Sequence, residues 1–401
     1  ENLVPTRNYV TCFPSAGWTN QVMEVTNLIY LARLTDRIPI IPSFEPSHFG
    51  SLNTATPLRF GDVFDVPYLM SKLGFPVVQW HEIKQLNYSS LNDPVLEQIG
   101  CWSIHAGNQA SGGTPGDWTS KNMFKLDVSY TAVPYWFTLT HGDDSETRTW
   151  SLWALASLSF PEMRARIVGE QSWTTLPAPG GSGKKLEPNG HLLCFDDLYY
   201  TGLIYTNPGD DFFNDYSPMW NHVAVHMRWK ASLVELANQY LRKHFGVGDQ
   251  DQIPKFISVH VRRDDFKGQC SKDVTFDQCF ASVQSFRHRV ADIQNILLSR
   301  PEQVNVTEII VTSDERDPRW WDKVGELGPG WRWINHTIER TEERYGKWFP
   351  LLLDAMFQSM GAGFVGTKGS TMSSIAAKRV QDWHNGPTIE VNWGTPDADE
   401  Q

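Results

Sequence analysis

Residues Asn8 to Phe13 form a short, mostly apolar run, the pattern of a buried strand. The loop Pro14-Ser15-Ala16-Gly17-Trp18 follows it. Beyond the loop, Val22, Val25, Leu28, Ile29 and Leu31 fall mostly on one face at helical spacing. That spacing predicts a helix from a Thr19 cap to about Arg33. Arg37 to Pro42 (RIPIIP) then reads as a second buried strand. The chain thus opens with a βαβ unit whose first loop lies at the carboxyl end of its first strand.

The last third alternates strand and helix patterns. Strands are predicted at Lys255–Val261, Glu308–Ser313, Trp331–Ile334 and Gly363–Gly366, with helices over 275–299, 346–360 and Ser370–Trp383. Such alternation predicts an α/β fold with a parallel sheet covered on both faces. A long helix is expected from Pro218 to about Phe245, broken by Gly246-Val247-Gly248-Asp249-Gln250-Asp251. We place the domain boundary at that break, giving domains 1–245 and 246–401. The middle, roughly 45–215, is rich in Gly, Pro, Asn and Trp and includes the loop-like stretch Pro177–Gly183. It is expected to hold insertions in the first domain. No internal repeat is evident.

Composition sharpens this picture. A chain of 401 residues with 40% hydrophobic content is too long for one ordinary core, so two domains are expected. The 17 tryptophans serve packing in the first instance, though their flat faces also suit sugars. A net charge of -11 argues against nucleic acid and anionic membrane as partners. An anionic substrate must then be held by a local positive cluster. No apolar run approaches a membrane span, and the first residues do not resemble a signal peptide. Any membrane association is therefore expected only through an anchor absent from this sequence.

Of the cysteines at 12, 101, 194, 270 and 279, Cys270 and Cys279 bracket a short loop and could close a small disulfide. The odd count leaves at least one thiol unpaired or bonded to another chain. Glycosylation sequons stand at Asn87, Asn305 and Asn335. Together these features lean toward a luminal or secreted setting.

The chemistry concentrates in three places. The first is Ile257–Asp265 (ISVHVRRDD), where alternation puts His260 and Arg262 on the same side of a strand, at its carboxyl end. Ligands of open α/β sheets bind there, and an arginine fork suits phosphate oxygens. The competing reading is a salt bridge from Arg263 to Asp264 or Asp265. The second is Gly361–Ser374 (GAGFVGTKGSTMSS), a strand leading through a Gly- and Ser-rich turn into a helix whose start offers N–H groups to an anion. An ordinary capped helix would have the same residues. The third is Gly17-Trp18-Thr19-Asn20-Gln21, where Asn20 could hold a phosphate or a sugar hydroxyl. His226-Met227-Arg228, Asp249-Gln250-Asp251 and Asp397-Ala398-Asp399 imitate useful motifs, but they fall in a helical run, a linker and a tail. No zinc-type His/Cys spacing and no Walker loop occur.

In this order and spacing, the three segments resemble the GDP-fucose O-fucosyltransferase family, whose superfamily includes α1,6- and α1,2-fucosyltransferases. The resemblance covers the first ~45 residues and most of 220–385. It implies a GT-B-like fold of two Rossmann-like domains facing each other across a cleft, an acceptor-side 1–245 and a GDP-sugar-binding 246–401. By the same resemblance, Arg262 binds the β-phosphate and assists departure of GDP. His260 lies near the nucleotide, and Gly17 and Asn20 face the pyrophosphate and fucose. Ser370 and Thr371 hold phosphate oxygens, and Asp354 accepts the guanine N1–H and amino group. The implied reaction is an inverting, metal-independent transfer of fucose from GDP-fucose, with no other cofactor, to a hydroxyl of a glycan or protein in the Golgi or endoplasmic reticulum lumen. The paired arginines followed by Asp264-Asp265 look closer to the α1,6/α1,2 branch. The glutamate base of one protein-modifying branch would fall near Ala16-Gly17, where none exists. Asp264, Asp265 and Glu24 are the candidates for a base. The rival readings are a transferase of the same fold using another nucleotide sugar, and a non-catalytic glycan-binding protein.

Overall fold

The computed structural model describes residues 2–46, 49, 52, 54–86, 97–105, 118–139, 149–171, 175–177, 181–203, 212 and 216–399. The sequon at Asn87 and part of the 177–183 loop lie outside them. The chain divides into two compact units, Glu1–Arg228 and Trp229–Gln401. This division falls ahead of the Gly246–Asp251 break, so the helix Ala231–Phe245 groups with the second unit.

The long helix expected over 218–245 is interrupted. Pro218–His222 and a 3-10 turn at Ala224–His226 end the first part, and Ala231 begins the second. The Trp229 Nε1–H donates to Ser359 Oγ at 2.8 Å, and the Arg379 guanidinium lies 4.2 Å from the Trp229 ring centroid. Those contacts anchor Trp229, which lies in the interruption, to the helices Phe349–Met360 and Thr371–His384.

The first unit is built on a seven-stranded sheet. Its order is Val78–Gln79, Ile38–Ile41, Tyr9–Cys12, Leu192–Phe195, Glu97–Ser103, Leu126–Ala132 and Thr175–Pro177. Only the last pair is antiparallel. Most of these strands come from the middle of the chain, which the sequence reading treated as insertions. Leu126–Ala132 shows why they were hidden, since every residue of it is buried, polar ones included. Ser129 Oγ donates to the Lys184 carbonyl at 2.7 Å, and Thr131 shares a 2.9 Å hydrogen bond with Thr175. Satisfied buried hydroxyls blur the apolar pattern without destabilising the strand. The helix Trp18–Leu34 is likewise buried on nearly every face, Glu24 and Asn27 included.

The second unit holds a five-stranded, wholly parallel sheet. Its order is Trp331–Trp333, Glu308–Ser313, Phe256–Val261, Gly363–Thr367 and Thr388–Val391. The last of these was not anticipated. Ile257, Val259 and Val261 join a core with Val290, Ile293 and Leu297 of the helix Val283–Ser299. Ser258 and His260 take the opposite face, as strand alternation requires. There Ser258 Oγ donates to the Gln358 carbonyl at 2.7 Å. The closing helix Thr371–His384 packs so near that a Cβ at Gly366 would lie 2.8 Å from the Cβ of Ser373. Strand order reverses between Phe256–Val261 and Gly363–Thr367, and the carboxyl ends at such a reversal are where open α/β sheets hold ligands.

Disulfides join Cys101 to Cys194, across two strands of the first sheet, and Cys270 to Cys279. Cys12 is a buried free thiol. The first bond closes a separation of 93 residues and the second one of 9. On the chain-entropy scale their removal costs about 5 and about 3 kcal/mol respectively. A Cys101→Ser/Cys194→Ser variant is therefore expected to unfold at lower denaturant than a Cys270→Ser/Cys279→Ser variant, as denaturant titration would show. The reading of Asp397–Asp399 as a solvated tail is corrected for Asp399. That residue is buried, and its carboxylate accepts from Arg289 Nε at 2.8 Å.

Candidate active site

The segment after Val261 and the turn after Thr367 are tied together at the reversal point. The Arg262 N–H donates to Thr367 Oγ1 at 3.0 Å, and that hydroxyl donates to the His260 carbonyl at 3.1 Å. Ser373 Oγ accepts the Thr367 N–H at 3.0 Å and shares a 2.8 Å hydrogen bond with His260 Nδ1. His260 is buried, and burial followed by the Arg262 charge pushes its pKa down to about 3. It is thus neutral at working pH and holds the start of the closing helix in place.

Arg262 carries its guanidinium among carboxylates. It pairs with Asp265, and Nη1 lies 3.3 Å from Asp314 Oδ2. Asp314 also accepts the N–H groups of Arg263 at 2.8 Å and Asp264 at 3.0 Å, so one carboxylate shapes the whole loop. Arg263 does not pair with Asp264 or Asp265. Its Nε donates to Glu315 at 2.8 Å, and its guanidinium lies over the Phe280 ring at 4.8 Å. Across the reversal, Gly369 has φ 77°, the left-handed region that suits glycine. Ser370 then caps the helix Thr371–His384 without a side-chain hydrogen bond. The amino end of that helix carries the partial positive charge that suits an anion.

A cavity of about 570 Å³ lies at the carboxyl ends of Glu308–Ser313 and Trp331–Trp333. Asp354, from the helix Phe349–Met360, lines it together with Trp321, Trp333, Asn335 and His336. His336 Nε2 sits 3.0 Å from Asp354 Oδ1, and its Nδ1 is 3.0 Å from Thr341 Oγ1. Thr341 in turn is 2.9 Å from the Tyr240 hydroxyl. This chain fixes the carboxylate by one oxygen. The two indoles, stacked with centroids 5.4 Å apart, add flat apolar wall. A planar heterocycle with adjacent N–H donors fits such a lining.

In the first unit, Gly17 caps the helix Trp18–Leu34, two residues earlier than the expected Thr19. Gln21 locks the loop, donating to the carbonyls of Ala16 at 2.8 Å and Glu45 at 3.0 Å. Asn20, on the first turn, is partly exposed. Glu24 is fully buried and accepts the Leu198 N–H at 3.0 Å, so it presents no oxygen to an acceptor hydroxyl. Of the other two base candidates, both exposed, Asp265 is paired with Arg262 and Asp264 lies 3.5 Å from Lys267 Nζ. Among the described residues, no group of three or more His, Cys, Asp or Glu is placed to hold a metal ion, and no helix is long and apolar enough to cross a membrane.

The profile of the family described as GDP-fucose protein O-fucosyltransferase matches residues 9–381. The chain belongs to that family. It is accordingly a GDP-fucose-dependent fucosyltransferase, with a GT-B-like fold. POFUT1 crystallised in complex with GDP-fucose superposes with a TM-score of 0.55 at 16% identity, covering 98% of this chain and 100% of that one. The POFUT1 apo-form gives 0.55 at 17% identity, covering 97% and 99%. The fucosyltransferase NodZ from Bradyrhizobium gives 0.44 at 12% identity, covering 98% and 97%. None of the curated proteins matches the sequence.

Sequence reasoning missed several residues of this fucosyltransferase. Asp314, directly after the strand Glu308–Ser313, has a strand-end position that could have flagged it. His336 gave no periodic signal, and Trp333 stood out only as part of the predicted strand Trp331–Ile334. A third group missed, Asp196 and Asp197, is wholly internal and adjoins Glu24, which the sequence had offered as a base. Asp196, Asp197 and Glu24 are buried together in the first unit, where Asp196 accepts from the Ser103 hydroxyl and Asp197 from the Tyr199 N–H at 2.6 Å and the Ser15 hydroxyl at 3.4 Å.

Burial pushes the Asp197 carboxyl up to about 7 and raises Asp196 and Glu24 well above the usual range, the latter two also under the Asp197 charge. A carboxyl whose folded pKa is raised binds its proton more tightly in the native state. Its contribution is thus full below the unfolded value near 4 and lost as pH rises toward 7. His105, pushed down by burial to about 4, acts in the opposite sense below pH ~6.5. The melting temperature of Asp197→Asn is expected to match wild type near pH 4 and exceed it increasingly up to pH ~7, by on the order of 1–4 kcal/mol in stability. Parallel melts across pH check this.

Proposed function

We propose that this chain transfers fucose from GDP-fucose, with inversion and without a metal, to a hydroxyl of a glycan or protein acceptor. On this reading residues of the second unit hold the donor and the first unit takes the acceptor. Guanine occupies the cavity at Asp354, and the diphosphate lies at Arg262 and the Gly369–Ser370 turn. Negative charge grows on the β-phosphate as the glycosidic bond breaks. Arg262 and the start of the helix Thr371–His384 stabilise it, taking the place a divalent cation has in other transferases. Thr371 completes the proposed donor contacts, and Asp264, exposed and not paired with Arg262, is the candidate base.

The observation that carries this reading is the 3.0 Å hydrogen bond from the Arg262 N–H to Thr367 Oγ1. It ties the arginine loop to the turn before the helix Thr371–His384 at the reversal of strand order, which supports a single anion site made by the two segments. The family match supports the donor. Two disulfides support residence in an oxidising, secretory-pathway lumen.

The test is a donor panel read by released nucleotide, followed by mass spectrometry of candidate glycans and peptides after incubation with GDP-fucose. A mass gain of one deoxyhexose on an acceptor, with release of GDP and with chelator present, is the expected result. Turnover of another nucleotide sugar in preference to GDP-fucose would overturn it.

A further inference from the structure

The two loops at the reversal point share a neighbour that lies beyond the residues matched by the family profile, which ends at 381. The segment after the last strand, Thr388–Val391, runs on past both loops. Trp393 Nε1–H donates to the Lys368 carbonyl at 2.9 Å, inside the glycine turn. The same indole stacks on Phe266, centroids 4.8 Å apart, and on Phe280 at 5.8 Å. Phe266 lies in the loop after Arg262, whose guanidinium is 5.8 Å from its ring centroid. Phe280 supports Arg263 and follows Cys279 of the disulfide. One side chain therefore touches both halves of the proposed diphosphate site.

Its surroundings hold it there. The Gly394 N–H donates to the Cys279 carbonyl at 2.7 Å. Lys368 donates its N–H to the Val391 carbonyl at 3.1 Å and its Nζ to Asn392 Oδ1 at 3.0 Å. The Asn392 N–H donates to Asp399 Oδ1 at 2.8 Å, and Asp399 is anchored by Arg289. The tail is thus pinned at its far end by a buried carboxylate, and Trp393 is its point of contact with both loops.

We propose that Trp393 is a positioning residue for the diphosphate end of the donor, keying the Arg262 loop to the Lys368–Ser370 turn. This rests on the donor reading above and adds a part to it. The indole does not touch the base cavity, whose lining comes from other segments. Loss of Trp393 should therefore weaken recognition of phosphates and leave recognition of the nucleoside unchanged.

Equilibrium dialysis of GDP and guanosine against wild type, Trp393→Ala and Trp393→Phe tests this. Trp393→Ala is expected to weaken GDP about tenfold, the scale of one charge-assisted hydrogen bond, with guanosine unaltered. Trp393→Phe keeps a ring for stacking but lacks the N–H, and is expected to fall between the two. Unchanged GDP affinity in Trp393→Ala overturns the inference, as does an equal loss for GDP and guanosine, which marks a general structural role. Should the alanine variant not fold, Trp393→Phe decides: weaker GDP with unaltered guanosine supports the inference, and wild-type GDP affinity overturns it. Wild-type protein that binds GDP no better than guanosine removes the donor reading itself, and the inference with it.

Discussion

Replacing Arg262 by alanine is expected to lower kcat about 10²- to 10³-fold while leaving the melting temperature close to that of wild type. The kinetic loss is the size found when one preorganised donor to a developing oxyanion is removed. The small stability effect follows from the surroundings. Its partner Asp265 is 55% exposed, and exposed pairs contribute little. Asp314 keeps the N–H groups of Arg263 and Asp264, so the loop retains its shape. Arg262→Lys should recover part of the rate, since a lysine keeps the charge without the planar fork. Released GDP gives the rate, and a thermal melt gives the stability. Near-normal turnover in the alanine variant would remove Arg262 from the mechanism.

Asp354→Ala is expected to weaken GDP roughly 10- to 100-fold, from the loss of hydrogen bonds to a charged acceptor. ADP should be almost unaffected, because the N1 of adenine is an acceptor and gains nothing from a carboxylate. The preference for GDP over ADP therefore collapses in this variant. Folding should survive, since the side chain is 22% exposed and its hydrogen bond goes to His336. Calorimetry with both nucleotides checks the selectivity directly. An unchanged GDP-to-ADP ratio would show that the cavity does not select the base through this residue.

Local patterns revealed the second unit well. Glu308–Ser313 is the strand the sequence pattern predicted, and Phe256–Val261, Phe349–Met360 and Thr371–His384 lie within a few residues of expectation. Their patterns were legible because the strands are short apolar or alternating runs and the helices show apolar residues at helical spacing. The first unit was legible only in its opening βαβ. Its strand Leu126–Ala132 carries Asp127, Ser129 and Thr131 in buried positions, and the compensating partners, such as Lys184 and Thr175, lie far away in sequence. A polar residue satisfied by a distant partner looks like a surface residue until the chain is folded.

The candidate site divides in the same way. By itself the sequence determined that Arg262 stands at the end of a buried strand and that a glycine turn leads into the closing helix, because both are properties of contiguous residues. Tertiary structure alone decided that these two ends adjoin, that Asp314 and Trp393 brace them, and that His336 holds Asp354 in a cavity walled by indoles. Those are contacts between segments tens of residues or more apart, and the order of strands in a sheet, which local spacing does not encode, brings them together.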